Sequence, residues 1–136
     1  MVTITQRYIN REGFSDSVST LPGDYLKDPF GEGYDMILLS AVVHINSSDE
    51  NEFLVRKCAD ALGSGGQLVI LDHIMSPYRT EPEAGAVFAL NMLVGTKHGD
   101  AYTEAEIRKW MADAGFINIE RKDTEQGTSI IIGIKN

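Results

Sequence analysis

The sequence has one cysteine, Cys58, in 136 residues, so no internal disulfide framework supports it. Basic residues are also scarce: 12 against 20 acidic ones, for a formal net charge of -8. Such a chain is not drawn to nucleic acid or to an anionic membrane, so a small-molecule ligand is expected instead. Acidity of this degree is also ordinary among cytosolic proteins. No apolar run is long enough to span a bilayer. The N-terminus lacks the basic-then-apolar pattern of a secretory signal, so the expected address is the cytoplasm. Repeats, low-complexity tracts and linkers are absent too. What remains is enough chain for one domain with a real core, and 43% of it is hydrophobic.

The elements alternate. Val2 to Arg11 reads as a helix ending at Gly13, and Val18 to Leu21 as a short strand running into Gly23-Asp24. Tyr34 to Val43 is a continuous apolar run centred on Met36-Ile37-Leu38-Leu39, which suits a strand buried on both faces. Ser47-Ser48-Asp49-Glu50 is a capping box that opens a helix to Leu62. Within that helix Cys58 lies four residues from both Leu54 and Leu62, which makes it core filler and not a nucleophile. Gly63-Ser64-Gly65-Gly66 follows a helix and precedes a strand, the reverse of a phosphate-binding loop's context, and reads as a turn. Leu68 to Asp72 is a second buried strand. Glu83 to Val94 is a helix that is apolar nearly all round, so it needs cover on more than one side. Thr103-Glu104-Ala105-Glu106 caps a last helix with Ile107, Trp110, Met111 and Ala114 on one face. Strands at about Ile117 to Lys122 and Ser129 to Lys135 close the chain around a turn near Gln126-Gly127. This order predicts an α/β fold, mainly parallel, with a C-terminal antiparallel hairpin. In such sheets ligands sit at the carboxyl ends of the strands: here Gly23-Asp24, Ser40 to His44, and Asp72-His73.

Those places carry a family resemblance. Leu21-Pro22-Gly23-Asp24-Tyr25-Leu26, Tyr34 through His44, Ala61 through Asp72, Phe88-Ala89-Leu90-Asn91-Met92-Leu93 and Ala114-Gly115-Phe116 stand in the order and near the spacing of the small-molecule O-methyltransferases of bacteria and plants. The chain resembles the C-terminal part of a class I, Rossmann-like, S-adenosylmethionine-dependent O-methyltransferase. By that resemblance residues 1–136 form a partial catalytic domain lacking the family's first two strands and its glycine-rich loop. The sequence also departs from the plant members, which place a glutamate where Ala101 stands.

The resemblance implies an enzyme that transfers a methyl group from S-adenosylmethionine to a hydroxyl of a small aromatic or quinone-like acceptor. His44 is the candidate general base, because imidazole titrates in the useful range, and Asp72 the carboxylate that orients it. Gly23, Asp24, Tyr25 and Ser40 are the candidate cofactor contacts. Phe88, Asn91 and Met92 are the candidate acceptor contacts. Each has a plainer reading: a turn aspartate, a strand-end histidine bonded to backbone, a helix face that is only core. A metal shared by His44, Asp72, His73 and His98 is not expected, because Asp72 and His73 are neighbours in a strand and point to opposite faces.

The expected partners are a small acceptor and either a second copy of the chain or an N-terminal portion. In the family the strand at Val18 lies three positions from that at Tyr34. With strands about 4.8 Å apart the gap would be roughly 14 Å, and an open apolar edge invites pairing. The alternative function is a non-catalytic fragment or interaction module that pairs through those edges. Methylation of carbon or nitrogen by positioning alone is a further possibility. A nicotinamide-binding domain is disfavoured because its glycine fingerprint is absent.

Overall fold

The computed structural model describes residues 2–136. The elements run α1 (Val2–Arg11), β1 (Tyr34–Ser40), a 3-10 turn (Val43–Ile45), α2 (Ser48–Ala61), β2 (Leu62–Asp72), α3 (Glu83–Gly95), α4 (Glu104–Asp113), β3 (Phe116–Asp123) and β4 (Ser129–Lys135). The strands make one sheet in the order β1-β2-β4-β3. β1 and β2 are parallel, and β4 is antiparallel to both β2 and β3. Three strands therefore share a direction and β4 alone is reversed, as the alternation and the terminal hairpin predict.

Both anticipated capping boxes form. Ser47 accepts from the Glu50 amide at 3.2 Å while Glu50 accepts from the Ser47 amide at 2.7 Å. Thr103 and Glu106 do the same for α4. Each box satisfies two amides that have no partner within the helix and puts carboxylates at the positive end of its dipole. The helices then bury one face each: Leu54, Val55 and Cys58 from α2, and Ile107, Trp110 and Met111 from α4. These meet Leu68 and Ile70 of β2 and Ile131 of β4, all fully buried, in one core. Cys58 is part of it, and burial pushes its thiol up to about 12, so it stays protonated and unreactive at neutral pH.

The other sheet face is also apolar. By register it carries Met36, Leu38, Val69, Leu71, Ile130 and Ile132. Met36 and Leu38 are 60% and 54% exposed.

Three local expectations change. Val18 to Leu21 is not a strand. A strand persists only where a neighbour completes its ladder, and no strand of the described residues stands beside it. The roughly 14 Å gap therefore has no counterpart, and β1 is one edge of a continuous sheet. The glycine run 63–66 lies within β2, where the register jumps from Tyr34↔Leu62 to Met36↔Gln67. It is a bulge, with Gly65 at φ +77, a conformation that glycine adopts without steric cost. Finally, β1 stops at Ser40 and not at Val43, because Ala41 takes φ +56.

Ala41 is the strained joint of the fold. Its amide still donates to the Leu71 carbonyl at 3.0 Å, but its left-handed backbone swings the chain out of the strand and into the 3-10 turn. A β-branched side chain is poorly tolerated there. Ala41→Val is expected to lower stability by about 1–2 kcal/mol, while Ala41→Gly does not lower it. Urea denaturation midpoints of the two variants check this.

Candidate functional site

The swing at Ala41 brings His44 against the end of β2. His44 Nδ1 lies 2.8 Å and 3.0 Å from the two carboxylate oxygens of Asp72. Both side chains are sheltered, at 13% and 2% exposure. Asp72 also accepts from the backbone N–H of His73 at 2.8 Å and of His44 at 3.4 Å. A carboxylate surrounded by donors acts as their acceptor. It therefore calls for a proton on Nδ1, which leaves the Nε2 lone pair of a neutral His44 free. That is the tautomer a general base needs.

The backbone beneath His44 is held as firmly as its ring. The Asn51 side chain donates to the Val43 carbonyl at 2.8 Å, the Asp100 amide to the His44 carbonyl at 3.0 Å, and the Tyr102 hydroxyl to the Asn46 carbonyl at 2.6 Å. Burial pushes the Tyr102 phenol up to about 12, so it remains a donor. Gly99 permits this packing: a Cβ there would collide with the His44 carbonyl oxygen and the Thr96 hydroxyl.

Phe88 of α3 forms the site's apolar wall. Its ring meets His44 edge-on at 4.8 Å and His73 at 4.3 Å. The two imidazoles thus share one phenyl ring, although Asp72 and His73 are adjacent in sequence. Of the other two candidate acceptor contacts, Met92 is half-buried and Asn91 is exposed. Beyond Phe88 the helix offers Val87, Leu90, Leu93 and Val94, each more than half exposed. Ala101 is buried, and its neighbour Asp100 is tied to Arg79 at 2.7 Å. Among the described residues, Asp72 is the carboxylate that reaches His44.

The segment 23–28 folds on itself and is not a strand end. The Asp24 carboxylate accepts from the Leu26 amide at 3.0 Å and pairs with Lys27 at 2.8 Å. The Lys27 hydrogen bond, with that of Leu26, holds the Asp24 carboxyl below its usual value. Its amide in turn donates to Asp28 at 2.7 Å, close against Gly23. This is the plainer of the two readings of Asp24, an aspartate engaged in its own turn. Tyr25 reaches inward and donates to Asn46 Oδ1 at 2.7 Å. Burial raises its phenol, and the bond to Asn46 opposes that rise. Lys57 of α2 pins the segment by donating to the carbonyls of Tyr25 at 2.6 Å and Asp28 at 2.8 Å. Beside Tyr25 an apolar hollow of about 430 Å3 is lined by Leu21, Phe30, Ile37, Leu39 and Val42 among others. Ser40 is exposed at the end of β1.

Ala41, Asn46, Asn51 and Gly99 also shape the site, and no motif in the sequence marks them. Asn51 had a legible signal, since it lies three, four and seven residues before Leu54, Val55 and Cys58 on the buried stripe of α2. A polar residue at such a position needs a partner.

A four-stranded α/β sheet with a single reversed strand is the fold of part of a Rossmann-like methyltransferase. The chain belongs to the O-methyltransferase domain family, whose model matches residues 1–117. It is 32% identical over 125 residues to a 3-hydroxy-5-methyl-1-naphthoate 3-O-methyltransferase of Streptomyces sahachiroi, covering 90% of this chain and 36% of that protein. It is 28% identical over 114 residues to an L-tyrosine C(3)-methyltransferase of Streptomyces lavendulae, covering 83% and 31%. A family 2 O-methyltransferase from Planctomyces limnophilus, solved in complex with apigenin, superimposes with a TM-score of 0.90 at 30% identity, over 98% of this chain and 40% of that one. The chain thus spans about a third of the length of the curated relatives it matches.

Proposed function

We propose that this chain carries the general base and acceptor wall of an S-adenosylmethionine-dependent O-methyltransferase acting on a hydroxyl of a small aromatic or quinone-like molecule. The observation that carries the reading is the His44–Asp72 pair. Nε2 of His44 takes the proton from the acceptor hydroxyl, and Asp72 balances the charge that then appears on the imidazole. Phe88, with Met92 and Asn91 on the same side of α3, lies against the acceptor ring. The naphthoate and apigenin named for the two relatives support an aromatic acceptor. The tyrosine C-methyltransferase makes a carbon acceptor the main alternative.

S-adenosylmethionine supplies the electrophilic methyl group when bound. The described residues suit one end of that molecule. Tyr25 and the apolar hollow beside it suit the adenosine, and the family resemblance adds Gly23, Asp24 and Ser40 as its further contacts. A free cation or a row of amides for the charged amino-acid end is not found at that hollow among the described residues. The chain therefore works with a further polypeptide portion, an N-terminal part of the family's domain or a second copy. The exposed Met36 and Leu38 of the sheet, and Leu90 and Val94 of α3, are the surfaces such cover suits. No helix of the described residues is long and apolar enough to cross a membrane, and we place the active protein in the cytoplasm.

Calorimetric titration with S-adenosylhomocysteine tests this, using the chain alone and a version extended N-terminally with the family's first strands. Binding by the extended protein alone is the expected result. Binding by neither overturns the reading and leaves a non-catalytic interaction module.

A further inference from the structure

Three hydrogen bonds run in one direction from the Tyr25 loop to the residue before His44. The Tyr25 hydroxyl donates to Asn46 Oδ1 at 2.7 Å, Asn46 Nδ2 to Asn51 Oδ1 at 3.0 Å, and Asn51 Nδ2 to the Val43 carbonyl at 2.8 Å. Asn46 and Asn51 are 3% and 0% exposed, so neither has water to substitute for a lost partner. Aligned hydrogen bonds in a sheltered site strengthen one another, and a buried polar group left unpaired is costly. The 3-10 turn that carries His44 has little internal support, its own bonds being long at 3.3 and 3.4 Å. Its position therefore depends on outside partners, and this relay is one of them.

We propose that Asn46 is a positioning residue that couples the Tyr25 loop to the base, so that His44 is fully held only while the Tyr25 hydroxyl is seated on Asn46. This rests on the reading above, in which the Tyr25 loop is the adenosine wall and His44 the base. A change at the cofactor wall is thereby felt at the acceptor side through three side chains, without contact between the two ligands. Lys57 contributes by keeping the Tyr25 loop on α2. Asp72 is not part of the relay: it holds the ring, while the relay holds the backbone that bears it.

The test needs neither cofactor nor acceptor. It follows the exchange of the His44 Nδ1 proton with water by NMR on this chain. Tyr25→Phe removes the first donor and leaves the ring in place. The expected result is exchange faster by about five- to tenfold, the factor one net hydrogen bond is worth. Asn46→Asp keeps the acceptor for Tyr25 but loses the donor to Asn51, and is expected to speed exchange similarly. Ile119→Val, which trims a core contact outside the relay, is the control for general loosening and is expected to leave exchange unchanged. Unchanged exchange in Tyr25→Phe, or equal acceleration in Ile119→Val, overturns the proposal. Either result stands apart from cofactor binding, which the calorimetric experiment reads.

Discussion

In the methyltransferase proposed above, His44→Ala is expected to lower kcat by about 10²- to 10⁴-fold, the usual share of a positioned acid–base group. The affinity for S-adenosylhomocysteine is expected to stay close to its original value, because the relay from Tyr25 ends on the Val43 backbone carbonyl, which the loss of the imidazole leaves in place. The geometry also predicts how Asp72→Asn behaves. An amide can face Nδ1 with its N–H, which drives the proton of the neutral ring to Nε2 and removes the lone pair the base needs. Asp72→Asn is thus expected to lose kcat on the scale of His44→Ala while leaving the fold intact. Steady-state kinetics with an aromatic hydroxyl acceptor, alongside cofactor titration, read both effects. If His44→Ala leaves kcat unchanged, methyl transfer proceeds by positioning alone, as a carbon acceptor permits, and His44 loses its role.

The largest effect on stability is expected at Ile70. It lies at the middle of β2 with 0% exposure, flanked by Leu39 on β1 and Ile131 on β4. Neighbouring strands are fixed by their ladders, so the core cannot collapse around a missing side chain. Ile70→Ala is therefore expected to cost about 2–5 kcal/mol, a large part of the roughly 5–15 kcal/mol that holds a small domain together. A loss below about 1 kcal/mol in urea denaturation would show that the sheet repacks there and that the shared core is less rigid than its burial indicates.

Much of this fold was legible because local signals agreed with global ones. The two capping boxes start α2 and α4 where Ser47 and Thr103 predict, and the buried faces follow the helical period. The terminal hairpin reverses one strand, as its turn residues require. Three features are not legible in the sequence because they depend on partners distant in it. Val18 to Leu21 has the composition of a strand but no neighbour to pair with. Ala41 looks like a residue of the apolar run, and only the fold reveals its left-handed backbone. Asn46 reads as a loop residue until Tyr25 and Asn51 are seen to close on it. Within the site, His44 and Asp72 were readable as ends of successive strands, and the structure brings them into direct contact. For Asp24, the place after a glycine indicates a turn aspartate and the family resemblance implies a ligand contact; in the structure its carboxylate is engaged with Lys27 and the Leu26 amide.

If Asp72 holds His44 ready to act as a base, the state of the imidazole must show it. Nitrogen-15 NMR of the ring, at a pH where it is neutral, distinguishes the two tautomers. The contact with Asp72 predicts a proton on Nδ1 and an unprotonated Nε2. A ring protonated on Nε2, or one averaging freely between both forms, would contradict it.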